Sequence, residues 1–191
     1  MADDSVAAEI LASAFVDDPT MSWVFPERRH EKLRALFGFI VGDALEGLES
    51  VHVLEDGRAA AAWTPPGTPD WDDARNLRFM QAVGGVFDGE DAERLATLDE
   101  ASRKVHPHEP HWYLGILGAR PEAHGTGAGT QLLGRCLSTF VDRDGLPAYL
   151  ESSNPRNVTL YLRHGFEIIG DIPIADGVSM TAMWRPAVTP R

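Results

Sequence analysis

The sequence predicts an α/β (α+β) fold, a single mixed central β-sheet flanked by helices. Three observations predict it. The patterns run as helices and a hairpin first, then strand, helix, strand, helix, strand, strand. A glycine-rich turn, His124 to Thr130, stands between the first of those later strands and its helix. Hydrophobic residues make up 43% and charged residues 24% of 191, ordinary values for a chain that closes one core and not for a disordered one. One domain spanning 1–191 is the expectation at this length.

Residues 4–16 read as an amphipathic helix, because Val6, Ile10, Leu11 and Phe15 fall near helical spacing and Asp3 or Asp4 can cap the start. Asp17-Asp18-Pro19 is expected to stop it. A second helix is expected over 31–48, with Leu33, Leu36, Phe37, Ile40 and Val41 on one face. Segments 51–54 and 59–63 read as a hairpin joined by Glu55-Asp56-Gly57-Arg58. A loop follows from Pro65 to Pro69, and two helices are expected over 70–86 and 91–104, with Gly84-Gly85 weakening the first at its end.

The second part begins with a strand at 111–119 and a loop through Arg120-Pro121. A helix over 127–141 turns Leu132, Leu133, Cys136, Leu137, Phe140 and Val141 inward. Gly145-Leu146-Pro147 leads into a strand at 148–152. A short helix over 155–163 has Asn154 at its cap and Pro155 at its first position. Strands at 166–171 and 178–184 complete the sheet.

The net charge is −12, and its distribution is uneven. Residues 1–110 hold 22 acids against 10 bases, whereas 111–191 hold 7 of each. The second part can therefore take an anionic ligand without opposing its own field, while the overall acidity argues against nucleic-acid or anionic-membrane partners. Solvated acidic helices explain the same imbalance without any function. The single cysteine excludes an internal disulfide framework and a cysteine-based zinc cluster. No apolar run is long enough to span a bilayer, and the acidic start argues against a signal peptide, so a cytoplasmic protein is expected.

The turn His124-Gly125-Thr126-Gly127-Ala128-Gly129-Thr130 carries the chemistry. Glycines let the main chain take positive φ and approach a ligand, and a helix start offers unpaired N–H groups and a positive dipole end. Together these suit a phosphate or diphosphate. A flexible loop before a closely packed helix fits the same residues. No lysine follows the glycines, which excludes a P-loop. The spacing Gly-x-Gly-x-Gly departs from the dinucleotide fingerprint, although Glu151 lies 22 residues past Gly129, where a ribose-binding acid can sit.

The residues also resemble the GCN5-related N-acetyltransferase (GNAT) superfamily. Ala119-Arg120-Pro121 followed by His124-Gly125-Thr126-Gly127-Ala128-Gly129 is similar to its strand, Val-x-Pro, Arg/Gln-x-x-Gly-x-Gly/Ala signature. Asn154, seven residues before Tyr161, and Leu160-Tyr161-Leu162-Arg163-His164-Gly165-Phe166 are similar to its second motif. The run 147–166, the entry His111-Trp112-Tyr113-Leu114 and the stretch 14–19 resemble the puromycin N-acetyltransferase branch in particular. Two departures stand out. His124 replaces the usual Arg or Gln, and the family's extra strand before the first helix is missing, or the sheet edge is covered another way.

The resemblance implies a GNAT-like, splayed sheet, with 1–110 as the acceptor side and 111–185 as the half that binds acetyl-coenzyme A (acetyl-CoA). It implies that the pantetheine arm pairs with the backbone of Leu117, Gly118 and Ala119. The diphosphate would lie against His124, Gly125, Thr126, Gly127, Ala128, Gly129 and Thr130, with Asn154 and Tyr161 nearby. Tyr161 matches the family's general acid, against the plain alternative of a phenol packed on the sheet. Glu151 is the candidate general base, with Glu109 and His111 in reserve and a structural ion pair as the alternative. Direct transfer in a ternary complex is expected, because Cys136 falls on the apolar helix face where cysteines are inert. No metal is expected. His106-Pro107-His108-Glu109-Pro110-His111 is closely spaced, but zinc ligands usually converge from separate elements, so this run reads as a rigid lead-in to the strand that can line the acceptor pocket. Trp23, Trp63, Trp71 and Trp112 suit a pocket for a flat substrate, but ordinary core aromatics are the stronger reading.

The expected activity is acetylation of a primary amine on a small, cationic molecule, in a bacterial, antibiotic-resistance-like role. The alternatives are a protein N-acetyltransferase and a coenzyme A-binding regulatory module without catalysis. A homodimer stands among the expected partners.

Overall fold

A computed structural model describes residues 4–43, 50–68 and 72–188. The cap assigned to Asp3 or Asp4, the end of the second helix at 44–48, Pro69, the start of the 70–86 helix and Trp71 lie outside what it describes.

The elements run α1 (Asp4–Phe15), α2 (Pro19–Val24), α3 (Arg29–Asp43), β1 (Ser50–Val53), β2 (Ala59–Thr64), α4 (Asp73–Val83), α5 (Gly89–Val105) and β3 (Trp112–Ala119). They continue with α6 (Ala128–Cys136), a π-helical segment Leu137–Val141, α7 (Asp142–Asp144), β4 (Ala148–Ser152), α8 (Val158–Arg163), β5 (Glu167–Ala175) and β6 (Val178–Arg185). The six strands form one sheet in the order β1-β2-β3-β4-β6-β5. Every neighbouring pair is antiparallel except β3 and β4. A parallel pair needs a crossover, and the glycine turn with α6 supplies it.

Strand periodicity sorts β2 onto two cores. Ala59, Ala61 and Trp63 face Leu132, Leu133 and Cys136 of α6, while Ala60 faces Ile10, Leu11 and Phe37 of α1 and α3. Small residues on a strand buried from both sides let helices approach closely. Gly118 takes this furthest. A Cβ there would lie 2.7 Å from Ala14 Cβ, so glycine is required by the packing of α1.

Several elements differ from the sequence expectation: the 127–141 helix turns π-helical after Cys136, the 155–163 helix opens with a 3-10 turn at Pro155–Asn157, and two further differences have a clear local cause. Pro19 does not simply end α1; it opens α2. Asp18 is the N-cap, its side chain accepting from Met21 N–H at 3.0 Å, and a proline at the first helical position loses no needed donor. β5 runs on to Ala175 through Pro173. It is a sheet edge, where a missing N–H costs nothing. Among the described residues no strand precedes α1.

The acidic half is held by buried ion pairs. Lys32 of α3 lies 2.6 Å from Asp91 of α5, with side chains 5% and 1% exposed. Asp43 of α3 takes Arg75 at 2.5 Å and Arg78 at 3.0 Å, both from α4. These contacts fix α4 and α5 over the sheet, where they wall a cleft. No helix among the described residues is long and apolar enough to cross a membrane.

Candidate active site

β3 and β4 pair only from Trp112–Leu114 with Ala148–Leu150. Beyond that point β3 stays with β2, with Leu117, Gly118 and Ala119 opposite Ala61, Ala60 and Ala59, while β4 stays with β6. The two strands therefore part, and a cleft of about 860 Å³ opens there. Gly115, Ile116, Leu117, Glu151, Asn157 and Tyr161 line it on the sheet side. Phe37, Phe79, Phe87 and Leu98 line it on the helix side, with Asp72, Asp73, Asp88 and Asp99. Two of these acids have local duties as helix caps. Asp72 caps α4, and Asp88 forms a reciprocal capping box with Asp91. Backbone hydrogen bonding from Asp91 holds the Asp88 carboxyl below its ordinary range.

Glu151 is held by two phenols. Tyr149 donates to Oε1 at 3.0 Å and Tyr113 donates to Oε2 at 3.3 Å. Burial, then the adjacent Glu151 carboxylate, pushes the Tyr149 phenol above its ordinary value, so it remains a donor. Strand geometry produces the arrangement. Tyr149 and Glu151 are two apart on β4 and share a face, and Tyr113 is the register partner of Tyr149. His106 Nδ1 lies 3.9 Å from Oε1.

Tyr161 is 6% exposed, on α8, in edge contact with Phe166. Burial and then the charge of Asp18 raise its phenol, which stays protonated. Asp18 is itself raised by burial. It accepts from Ser153 Oγ at 2.7 Å, and Thr20 Oγ1 donates to the Ser153 carbonyl at 3.4 Å. The start of α2 is thus fastened to the loop after β4, directly beside the cleft.

The glycine turn lies past the cleft lining, at the end of β3. Gly125 has φ +74° and Gly127 φ +86°, and nothing lies within 4 Å of a Cβ at either. Both conformations favour glycine, and the space above them is open. Helix geometry leaves the amides of Ala128, Gly129 and Thr130 without intrahelical acceptors. The Thr126 and His124 amides are already used inside the turn, on Ala123 and Pro121. The His124 ring approaches the Ala119 carbonyl at 3.2 Å. Arg58, from the β1–β2 turn, donates to Thr126 Oγ1 at 3.0 Å and adds a cation beside the turn. Asn154 accepts from Arg156 N–H at 3.1 Å, which occupies its carbonyl oxygen locally.

Among the expected site residues, then, Leu117, Glu151 and Tyr161 share the cleft, while Gly118, Ala119, Asn154 and the turn lie outside its lining. Cys136 is buried and its thiol is pushed up to about 11 by burial, which leaves it a poor nucleophile. Trp23, Trp63 and Trp112 pack in the two cores and do not line the cleft. His111 is buried, its imidazole lowered by burial, and Glu109 is exposed; neither lines the cleft. No group of three His, Cys, Asp or Glu among the described residues is placed to hold a metal ion. The sequence reading missed Tyr113, Tyr149, Asp18 and Asn157, and it placed His106 only within the lead-in to β3, with no link to Glu151. Period-two alternation on β4 held the signal for Tyr149, two residues from Glu151; Tyr113 needed the β3–β4 register, and nothing local signalled Asp18.

Residues 48–166 match the Acetyltransferase (GNAT) family. The chain belongs to that family. An uncharacterised N-acetyltransferase of Schizosaccharomyces pombe is 29% identical to this acetyltransferase over 180 residues, 86% of this chain and 70% of that one. A crystal structure from Corynebacterium glutamicum, described as histone acetyltransferase HPA2 and related acetyltransferase, has a TM-score of 0.71 and 28% identity, covering 100% of this chain and 94% of the other. The polyamine N-acetyltransferase of Drosophila melanogaster, which forms N-acetylagmatine, shares the fold of this GNAT protein at a TM-score of 0.57 and 15% identity, covering 97% of each chain.

Proposed function

We propose that this GNAT enzyme transfers an acetyl group from acetyl-CoA to the primary amine of a small cationic molecule. One observation carries the reading: a single cleft unites Glu151, Tyr161 and the stretch of β3 that β4 leaves unpaired. The residues fit the carrier. Gly115 to Ala119 have no β4 partner to displace, and the open positive-φ glycines with the α6 amides suit a diphosphate. Acetyl-CoA supplies the activated acyl group and, on transfer, a sulfur that needs a proton.

Glu151 takes the proton from the amine, and Tyr149 and Tyr113 hold its carboxylate in place. Tyr161 Oη, kept protonated, donates toward the leaving sulfur. The apolar walls of Phe37, Phe79 and Phe87 exclude water and suit an acceptor with an apolar body, while the rim acids favour a cationic head. The likeness of 147–166 to the puromycin branch supports a drug-like or toxin-like acceptor. Protein acetylation is the second reading, and the description of the Corynebacterium glutamicum structure favours it.

The test is a thiol-release assay with acetyl-CoA and three acceptor sets: cationic arylalkylamines, linear polyamines and lysine-containing peptides. Turnover of a small amine, with a KM that rises with salt, supports the proposal. Turnover of peptides alone supports the second reading, and release with no acceptor preference contradicts both.

A further inference from the structure

Glu151 lines the cleft, yet its side chain is only 6% exposed. Once both substrates fill the cleft, a proton taken by Glu151 needs another way out. His106 stands next to it and is 35% exposed. It ends α5, its N–H bonded to the Ser102 carbonyl at 3.0 Å, and Pro107 holds it in extended backbone at ψ 126°.

The hydrogen bonds fix the tautomers around it. A carbonyl only accepts, so the 2.6 Å contact between His111 Nδ1 and the Glu109 carbonyl places the His111 proton on Nδ1. His111 Nε2 is then bare and accepts from His106 Nε2–H across 3.2 Å. His106 therefore carries its own proton on Nε2, and its bare Nδ1 is the atom turned to Glu151 Oε1 at 3.9 Å. Proton transfer across that distance requires the half-buried ring to turn toward Oε1. The other groups around His106 are the Tyr113 and Tyr149 phenols, both in edge contact with its ring. Arg103 and Lys104, one turn back on α5, pair with Asp99 and Glu100.

We propose that His106 is a positioning residue that passes protons between Glu151 and solvent. The inference rests on Glu151 being the base. In the step, the O–H bond on Glu151 breaks as an N–H bond forms at His106 Nδ1. The Nδ1–H bond of the imidazolium then breaks and that proton goes to water, so both side chains return to their starting charge and His106 to its starting tautomer.

The experiment compares kcat, KM and the pH–rate profile of wild type, His106→Gln and Glu151→Gln, using the amine that turns over fastest in the acceptor assay, with and without free imidazole. Gln keeps a donor for His111 but carries no proton. His106→Gln is expected to lose about tenfold in kcat, below the ~10²–10⁴ of a direct base, with both KM values kept. Free imidazole should restore most of that loss, and His106→Asn, measured with its thermal stability, should behave alike. An unchanged kcat, or a loss that imidazole does not relieve, overturns the proposal. Full activity in Glu151→Gln would instead overturn the base assignment on which it stands.

Discussion

Between β3 and α6 the useful shape is held by main chain: Gly125 and Gly127 at positive φ, then a helix start with unpaired amides. Around Glu151 it is held by side chains from separate places, Tyr113 on β3, Tyr149 on β4 and His106 after α5. The difference teaches what each region tolerates. A backbone cradle accepts many side chains provided φ is allowed, so His124 can stand in place of the Arg or Gln of the signature it resembles. A side-chain clamp fails when one donor or acceptor changes. The first region should control carrier affinity, and the second should control the chemical step.

The largest effect should come from Glu151→Gln, which keeps the shape and removes the base. A fall in kcat of about hundredfold or more is expected, within the usual range for general bases, with the KM for acetyl-CoA kept. Steady-state kinetics would sharpen the division between the regions if only kcat moves, and break it if carrier KM moves as far. Lys32→Met leaves Asp91 buried without its cation, and a loss of about 3–5 kcal/mol is expected in denaturant unfolding. That result would show that the acceptor wall depends on distant charged partners.

Tyr161→Phe lies on the boundary between the two regions. A loss of at least about tenfold in kcat is expected, with carrier affinity kept. Because burial and Asp18 raise the Tyr161 phenol, its ionisation cannot produce a basic limb near neutrality. Any basic limb seen in the wild type should persist in Tyr161→Phe, and its disappearance would break the account of this residue.

Gly127→Ala places a Cβ at φ +86°, which costs about 1–2 kcal/mol. A roughly tenfold rise in carrier KM, with kcat kept, is the expected sign of a cradle made of backbone. Gly129→Ala, whose Cβ would meet only Leu160 at 3.6 Å, is the matched control. The smallest effect belongs to Cys136→Ala. It should keep kcat within about twofold, because a buried thiol with a raised pKa makes no covalent intermediate.

The same contrast explains what was legible in the sequence. The turn could be read because its shape depends on glycines at fixed spacing within one stretch of chain. The splay between β3 and β4, and Glu151 and Tyr161 beside it, followed from the family resemblance. α2 escapes the sequence pattern because Asp17-Asp18-Pro19 reads as a stop, although Asp18-Pro19 is equally a cap followed by a first helical residue. The Glu151 clamp needed the register of Tyr113 with Tyr149, which is a property of pairing and not of either strand alone. The Asp18–Ser153 bond spans 135 positions and has no local trace. The charge count shows the acids of the first part only as a field, whereas Asp72 and Asp88 are helix caps as well.

The central claim is that the backbone at 125–130 grips the diphosphate of the acyl carrier. Titration calorimetry of coenzyme A into wild type and Gly127→Ala tests it most directly. Saturable binding to the wild type, weakened about tenfold by the substitution, is the predicted result. No heat of binding in the wild type, or equal affinity in both proteins, would contradict it.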